Sequence, residues 1–354
     1  MTTVSAVSGR VAAFCERYGL DVPILQAPMA GACPPELAVA VARAGGMGAT
    51  GAVLDGPTKI EDWVRRFREG SSGPFQMNLW IPDAPLAGDG GEAAARGFLE
   101  RYGTPGEPAG PSPVFAEQVD ALLAAGPTVM SSIMGLYDPP TVERMHAAGI
   151  AWFACATTLD EALAAQDAGA DAVVAQGIEA GGHRGTFDPV AAESTGVGLL
   201  ALVPQLADAL TVPVVATGGI TDGRAVAAAL TLGASAVQVG TAYLRSPEIG
   251  IAAGWSEALG AAAPESSVLT RAYSGRPGRA LPTPFVRAWT ADDAPPPARY
   301  PVQRALVGQW RRGQASGVDP VNQWAGQAAR LARPESARVI TEELWRSARA
   351  LLPT

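Results

Sequence analysis

The feature of this sequence that most suggests chemistry is a histidine inside a glycine-dense loop. His183 lies in the segment Glu179–Gly185 (EAGGHRG), directly after a predicted buried strand. Glycines let backbone and ligand approach closely, and an imidazole titrates near neutral pH. Such a group suits removal of an acidic C–H proton, or the holding of an anion when protonated. We therefore predict that His183 is catalytic, whereas His146, inside a helical pattern, is interpreted as structural.

Two further loops carry glycines suited to binding a phosphate. One reads ATGGITDG, with Gly218 and Gly219 ahead of a predicted helix, and the other contains Gly240 and Thr241 within QVGTAYL. Glycine amides approach a phosphate without obstruction from a Cβ, and a helix N-terminus adds unpaired donors and a favourable dipole. The alternative is that these glycines only make tight turns. Because both loops share the feature, phosphate binding is favoured.

Three side-chain amides narrow the identity of the ligand. Asn78, Gln176 and Gln238 each fall on or near the end of a predicted strand. A buried amide needs hydrogen-bond partners, and the pyrimidine ring and ribityl hydroxyls of a flavin would supply them. The alternative is that the amides are satisfied by each other or by the backbone. Three amides in matching positions favour the flavin.

Composition excludes several other classes of function. The net charge of −8 disfavours nucleic acid as a partner. Two histidines and three scattered cysteines (Cys15, Cys33 and Cys155) are too few for a His-rich metal site and indicate reduced thiols. The N-terminus lacks a signal-peptide pattern, and no apolar run has membrane-spanning length. We expect a cytoplasmic protein without a metal, nucleic-acid or membrane partner.

The elements that must position these residues alternate between strand and helix. Apolar, β-branched runs typical of buried parallel strands are followed by Ala/Leu-rich helical stretches. The predicted strands are Pro23–Ala30, Met47–Val53, Phe75–Ile81, Thr128–Met134, Ala151–Thr157, Ala172–Ala180, Val212–Gly219 and Ala236–Leu244. The predicted helices include Pro35–Ala44, Lys59–Glu69, Pro113–Ala125, Pro140–Ala148, Leu159–Ala168 and Asp222–Leu232.

Eight such repeats predict an α/β fold of the closed (β/α)₈ TIM-barrel type. An open doubly wound sheet would carry GxGxxG after its first strand, but residues 30–35 read AGACPP. Thr158, and Thr221 or Asp222, are predicted N-caps. Glycine in the left-handed conformation is expected after four of the helices, at Gly45, Gly149, Gly169 and Gly233.

Two segments fall outside the repeat. Residues 82–112 are rich in Gly and Pro and form a βα insertion, interpreted either as a lid or pocket wall or as a mobile surface loop. Residues 271–354 contain helical patterns at Gln303–Arg312 and Glu335–Leu352. We predict a barrel domain over residues 1–270 with the insertion at 82–112. Residues 271–354 are predicted to form a C-terminal helical cap over the catalytic face.

Six segments together resemble the nitronate monooxygenase family, formerly called 2-nitropropane dioxygenases. The resemblance covers roughly residues 20–330, in the expected order, and AGGHRG with SGRPGR carries most of its specificity. The segments are QAPMAG (Gln26–Gly31), Met77-Asn78, QGIEAGGHRG (Gln176–Gly185), ATGGITDG (Ala216–Gly223), QVGTAYL (Gln238–Leu244) and SGRPGRAL (Ser274–Leu281).

This resemblance implies non-covalently bound FMN and oxidation of alkyl nitronates, with nitroalkanes as a further option, by O₂ to a carbonyl compound and nitrite. His183 would be the catalytic histidine, and Met29 would lie against the isoalloxazine ring. Arg276 and Arg279 would anchor the C-terminal cap. The other implied FMN contacts, to which the glycine argument adds Gly218, are Asn78, Gln176, Gly181, Gly219, Gln238, Val239, Gly240 and Thr241.

One stretch departs from the family pattern. Many bacterial relatives resemble Phe-His-Phe-Gly after the fourth strand, whereas this chain has Ser132-Ile133-Met134-Gly135. A less polar pocket wall is therefore expected. The alternatives are an NAD(P)H-dependent FMN reductase on the same barrel, resembling enoyl or quinone reductases, and a non-catalytic flavin-binding protein. The expected partners are a small-molecule substrate and O₂, with a homodimer left open.

Overall fold

The computed structural model describes residues 4–85 and 88–352 and contains the predicted barrel. Its eight strands are parallel, each hydrogen-bonded to the next around the ring, and a parallel bridge between Leu25 and Met47 joins the last pair. The strands are β1 (Ile24–Gln26), β2 (Gly48–Gly51), β3 (Phe75–Trp80), β4 (Val129–Ile133), β5 (Ala151–Ala156), β6 (Ala172–Gln176), β7 (Val214–Thr217) and β8 (Ala236–Val239).

Most strands are shorter than predicted, and the difference lies mainly at their C-terminal ends. The prediction for β6 continued to Ala180 and that for β8 to Leu244, but the ladders end at Gln176 and Val239. Apolar and small residues continue past these points into the loops at the C-terminal end of the barrel. Hydrophobicity alone therefore overestimates each strand.

The helices around the barrel follow the predicted pattern and its end signals. Gly45, Gly149, Gly169 and Gly233 all have positive φ, as expected for residues that end helices. Thr158 accepts a hydrogen bond from the Glu161 amide, so the predicted N-cap is confirmed. The helices that follow β1 to β7 are α2 (Pro35–Arg43), α3 (Pro57–Gly70), α5 (Phe115–Ala125), α6 (Pro139–Ala147), α7 (Leu159–Asp167), α8 (Leu199–Ala209) and α9 (Gly223–Thr231), while α1 (Val4–Tyr18) precedes β1.

Helix α1 packs at the N-terminal end of the barrel. The ring centroids of Phe14 and Tyr18 lie 6.0 and 5.0 Å from that of Phe153, near the start of β5. Arg17 forms an ion pair with Asp171 at 2.7 Å, just before β6 begins. The end of the barrel opposite the catalytic loops is therefore covered.

The last helix, α13 (Ala337–Arg349), differs from its predicted place. It packs against α9 and α2 on the outside of the barrel rather than over the mouth. Its buried residues include Ile340 and Leu344, and a Cβ on Gly223 would lie 2.5 Å from the Ser347 Cβ. The apolar stripe of α13 thus completes the barrel wall, where an eighth helix is needed to cover β8 and β1.

The cap is built from both segments that fall outside the repeat. The insertion contributes α4 (Glu92–Leu99), and the later segment contributes α11 (Pro284–Ala288) and α12 (Val302–Arg312). Helix α10 (Ala253–Ala261) lies before the later segment in the chain. Gly103–Thr104 pairs antiparallel with Gln314–Ala315. The two segments share one apolar core, which includes Phe98, Leu99, Tyr273, Phe285, Trp289, Leu306 and Trp310. This packing favours a pocket wall over a mobile loop.

No helix in the described part of the chain combines the length and apolarity that a membrane crossing needs.

Candidate active site

A cavity of about 450 Å³ opens at the C-terminal ends of the barrel strands, beneath the cap. The predicted site residues that line it are Met29, Asn78, Gln176, Gly181, His183, Gly218, Gly219, Gln238, Gly240 and Thr241. Val239 does not line it, because successive side chains of a strand alternate and that of Val239 packs into the core. The structure therefore brings predicted residues from five separate segments together at one cavity.

His183 is held between two tryptophan rings and a serine. Its ring centroid lies 4.5 Å from that of Trp80 and 4.6 Å from that of Trp324. Its Nε2 is 2.7 Å from Ser274 Oγ. The two-residue strand Gly182–His183 pairs with Gly278 and Arg279 of the SGRPGR segment. The cap and the barrel loop thus fix the imidazole together.

Ser274 holds Nε2 of His183 and leaves the other ring nitrogen available. Its Oγ lies 2.7 Å from Nε2, 3.1 Å from the Arg276 carbonyl oxygen and 3.3 Å from the Arg276 amide nitrogen, which donates to it. The hydroxyl has one proton, so either Nε2–H or the Ser274 O–H can be the donor of the bond between them. Within the described residues Nδ1 makes no hydrogen bond, so it is the ring nitrogen that can meet a ligand.

Burial, together with the positive charges of Arg276 and Arg304, lowers the pKa of His183 to about 3. The imidazole of the free protein is therefore neutral at neutral pH. Of the two roles considered from the sequence, that of a protonated anion-holder is not supported. A neutral hydrogen-bonding group fits the surroundings.

Gln176 holds the histidine loop. Its Nε2 donates to the His183 carbonyl at 3.1 Å, and its Oε1 accepts the Gly185 amide at 2.8 Å. Arg184, which is buried, donates to the Gln176 carbonyl at 2.6 Å. The side chain predicted as a ligand contact therefore also sets the backbone of the loop that carries the histidine.

The other two predicted amides each retain a free polar atom. Asn78 Nδ2 donates to Ser131 Oγ at 3.0 Å, and Gln238 Oε1 accepts from Gln76 Nε2 at 3.1 Å. No hydrogen bond within the described residues uses Asn78 Oδ1 or Gln238 Nε2. Both side chains line the cavity, so the Asn78 carbonyl oxygen is available there as an acceptor and the Gln238 amide nitrogen as a donor.

The glycine loops retain free amides as well. Within residues 4–85 and 88–352, no hydrogen bond has the amide of Gly218, Gly219 or Gly240 as its donor. Gly218 and Gly219 have φ of 121° and 67°, which favours glycine. A Cβ on Gly240 would lie 3.2 Å from Ala27 Cβ and 3.5 Å from Met29 Sδ. These loops therefore offer closely spaced donors in a space that side chains would fill.

The N-terminus of α9 does not provide the donors that the sequence suggested. Asp222 caps this helix, and its carboxylate accepts the amides of Arg224 and Ala225 at 3.0 and 3.1 Å. A second negative group at the same amides is disfavoured. The predicted phosphate site consequently depends on the free amides of the glycine loops. Beside these loops, the amide of Gly326 donates to Thr241 Oγ1 at 3.1 Å.

Comparison with known proteins now identifies the family. The family model described as "Nitronate monooxygenase" matches residues 14–347. The chain belongs to the nitronate monooxygenase family. It is therefore an oxidoreductase of a flavin-dependent family.

Individual relatives agree with this membership. The nitronate monooxygenase of Pseudomonas aeruginosa is 39% identical over 94% of this chain and 98% of its own length. The solved structure of a nitroalkane oxidase from Streptomyces ansochromogenes has a TM-score of 0.84 and 35% identity, covering 96% of this chain and all of that one. FabK from Thermotoga maritima has a TM-score of 0.74 and 26% identity, with 96% of each chain covered.

The predicted departure from the family lies on the cavity wall. Ser132 and Ile133 line the cavity, and Met134 is buried with a φ of 70°, in the left-handed region. The Ser132 hydroxyl accepts from Trp152 Nε1 at 3.0 Å. Ile133 therefore presents an apolar side chain at this wall of the cavity.

The predicted anchors hold the cap onto the barrel. Arg276 is fully buried, forms an ion pair with Asp83 and donates to the Thr186 carbonyl at 3.2 Å. Arg279 donates to the carbonyls of Ile178 and Ser267, both at 2.9 Å. These arginines therefore connect the SGRPGR segment with the loops that follow β3 and β6, which lie beside the cavity.

Four site residues were missed from the sequence. Trp80 was detectable, because on β3 it shares the face of Asn78 two residues earlier. Ser274 lay inside a recognised motif, but nothing local indicated its contact with His183. Trp324 and Arg304 belong to the cap, where no strand register predicts which side chains face the cavity.

Proposed function

We propose that this protein oxidises alkyl nitronates with O₂ to a carbonyl compound and nitrite, using non-covalently bound FMN. The observation that carries this proposal is the arrangement around the cavity. A neutral histidine, unpaired amide atoms and free glycine amides face the same space in a member of the nitronate monooxygenase family.

The residues present fit FMN. The free amides of Gly218, Gly219 and Gly240 would hold its phosphate, and Asn78 Oδ1 and Gln238 Nε2 would pair with polar atoms of the ring or ribityl chain. When bound, FMN supplies the redox chemistry by taking electrons from the substrate and passing them to O₂.

The state of His183 favours a preformed nitronate over a nitroalkane. A base whose pKa is about 3 is poorly matched to a weakly acidic C–H group at neutral pH. The imidazole is instead suited to orient the substrate beside the flavin through its free ring nitrogen. The rings of Trp80 and Trp324 limit the water around it.

The test is product analysis in air with propyl-2-nitronate. The holoprotein is expected to form nitrite and acetone in equal amounts, and the flavin released on denaturation is expected to be FMN. His183→Asn should retain flavin and lower the rate by roughly 100-fold, the scale that misplacement of a substrate by about 1 Å can cost. His146→Asn, on the outer surface, is the matched control. Absence of nitrite from a flavin-loaded wild-type protein would contradict the proposal.

A further inference from the structure

The cavity wall carries positive charge in a protein whose net charge is −8. None of the described residues that line the cavity is Asp or Glu, whereas Arg304 and Arg311 of α12 both line it. A cavity of this composition attracts anions. FMN phosphate accounts for one anion, at the glycine loops, but both arginines belong to the cap.

Arg304, like the exposed Arg311 but unlike Arg276, has no counterion among the described residues. It is half-buried, and within residues 4–85 and 88–352 it pairs with no carboxylate. Its one hydrogen bond runs from Nη1 to the Tyr300 hydroxyl at 3.2 Å. Arg276, in contrast, is neutralised by Asp83, and Arg311 is exposed and donates to the Pro320 carbonyl at 2.8 Å.

Arg304 acts on the space beside His183. The Tyr300 ring that holds it lies 5.6 Å from Trp80, whose ring is 4.5 Å from His183. Its charge is also one cause of the lowered pKa of His183. The guanidinium therefore borders the reaction space, with most of its donors still available.

We propose that Arg304 binds the negatively charged oxygens of the nitronate group and so selects nitronate anions over neutral nitroalkanes. This role rests on the proposed function. Neutral His183 does not balance the charge of an anion, and an unpaired, half-buried guanidinium gains a strong charge-assisted partner when an anion binds. The planar guanidinium fork also matches the two oxygens of a nitronate.

The test compares anion binding and turnover in variants of the holoprotein. Nitrate, a planar anion that flavin does not readily oxidise, is titrated anaerobically, with perturbation of the flavin spectrum as the readout. Arg304→Gln is expected to raise the Kd of nitrate and the KM of propyl-2-nitronate at least about tenfold, a typical effect of losing one charge-assisted bond. Flavin content and the reduction rate at saturation should change less than about threefold, and Arg304→Lys, which keeps the charge but loses the planar fork, should restore part of the affinity.

Arg312→Gln is the matched control, because Arg312 lies on the same helix, outside the cavity lining, and donates to the Glu107 carbonyl. Tyr300→Phe, which removes only the hydroxyl that holds Arg304, should raise the KM in the same direction even if Arg304→Gln is unstable. Unchanged Kd and KM in these variants, or an equal rise in Arg312→Gln, would overturn the role. If nitrate binding depends on Arg304 but nitronate does not reduce the wild-type flavin, the anion site stands and the proposed reaction fails.

Discussion

At the scale of single residues, the central finding is that His183 is recognisable from the sequence but its chemical state is not. The glycine loop and the end of a strand indicated its position. Its neutrality results from Trp80, Trp324, Arg276 and Arg304, which come from β3 and from three places in the cap. No local pattern brings these side chains together, so only the folded chain reveals their effect.

The first prediction concerns the protonation of His183. In histidine-labelled holoprotein, the ¹⁵N signals of its ring are expected to remain those of a neutral imidazole from about pH 8 to about pH 5, because its pKa is about 3. The folded pKa lies below the unfolded value of about 6.5, so the unfolded chain binds the proton first, and this group lowers stability as the pH falls below that value. With two histidines in the chain, His146→Asn assigns the signals. A midpoint near 6.5 for His183 would contradict the interpretation.

At the scale of elements, periodicity and end signals predicted the strand–helix order, and the glycines at helix ends had the expected conformations. Two features escaped prediction for physical reasons. An amphipathic helix specifies that it packs but not against which surface, so α13 was expected over the mouth instead of beside α9 and α2. Helix α9 was expected to offer free amides, but Asp222 already occupies them.

The second prediction tests the glycine loops. Gly240→Val is expected to reduce the flavin-to-protein ratio to less than about one tenth, because its side chain would occupy the space between Ala27, Met29 and the phosphate site. The backbone of Gly240 has φ of −116° and ψ of −73°, a combination that a β-branched residue disfavours, so the melting temperature of the apoprotein is measured alongside and flavin content is compared only between folded proteins. Gly254→Val, at a helical position with no heavy atom within 4 Å of the added Cβ, is the control. Full flavin content in Gly240→Val would refute the phosphate assignment.

The third prediction concerns the connection between the insertion and the SGRPGR segment. Asp83→Asn leaves Arg276 buried beside a neutral partner, and a loss of about 1–3 kcal/mol in the free energy of unfolding is expected, since Asp83 is partly exposed. Urea unfolding followed by tryptophan fluorescence measures it, because Trp289 and Trp310 lie in the core of the cap. Glu92→Gln, which breaks the exposed pair with Arg96, should cost less than about 0.5 kcal/mol. Equal losses in the two variants would show that the buried pair has no special structural role.

At the scale of the whole molecule, the proposed function gives the barrel the flavin site and gives the substrate side to a cap built from two distant segments. The barrel was predictable because each strand–helix repeat has local signals in the sequence, namely a short apolar strand and a glycine at the helix end. The cap was not, since residues 82–112 and 271–334 come together through tertiary contacts, among them a shared apolar core, a two-residue strand pair and the Asp83–Arg276 ion pair. Consequently the residues predicted from the sequence are mostly those that would hold the cofactor. The four site residues that the sequence did not reveal are mostly those that would face the substrate.

The most direct test of the proposed nitronate oxidation is anaerobic reduction of the bound flavin. The holoprotein is mixed separately with propyl-2-nitronate and with NADPH or NADH, and the visible flavin absorbance is followed in time. Rapid, saturable bleaching by the nitronate, with little bleaching by either nicotinamide, is the predicted result. A flavin that is reduced rapidly by a reduced nicotinamide and left oxidised by the nitronate would contradict the account and indicate a reductase on the same barrel.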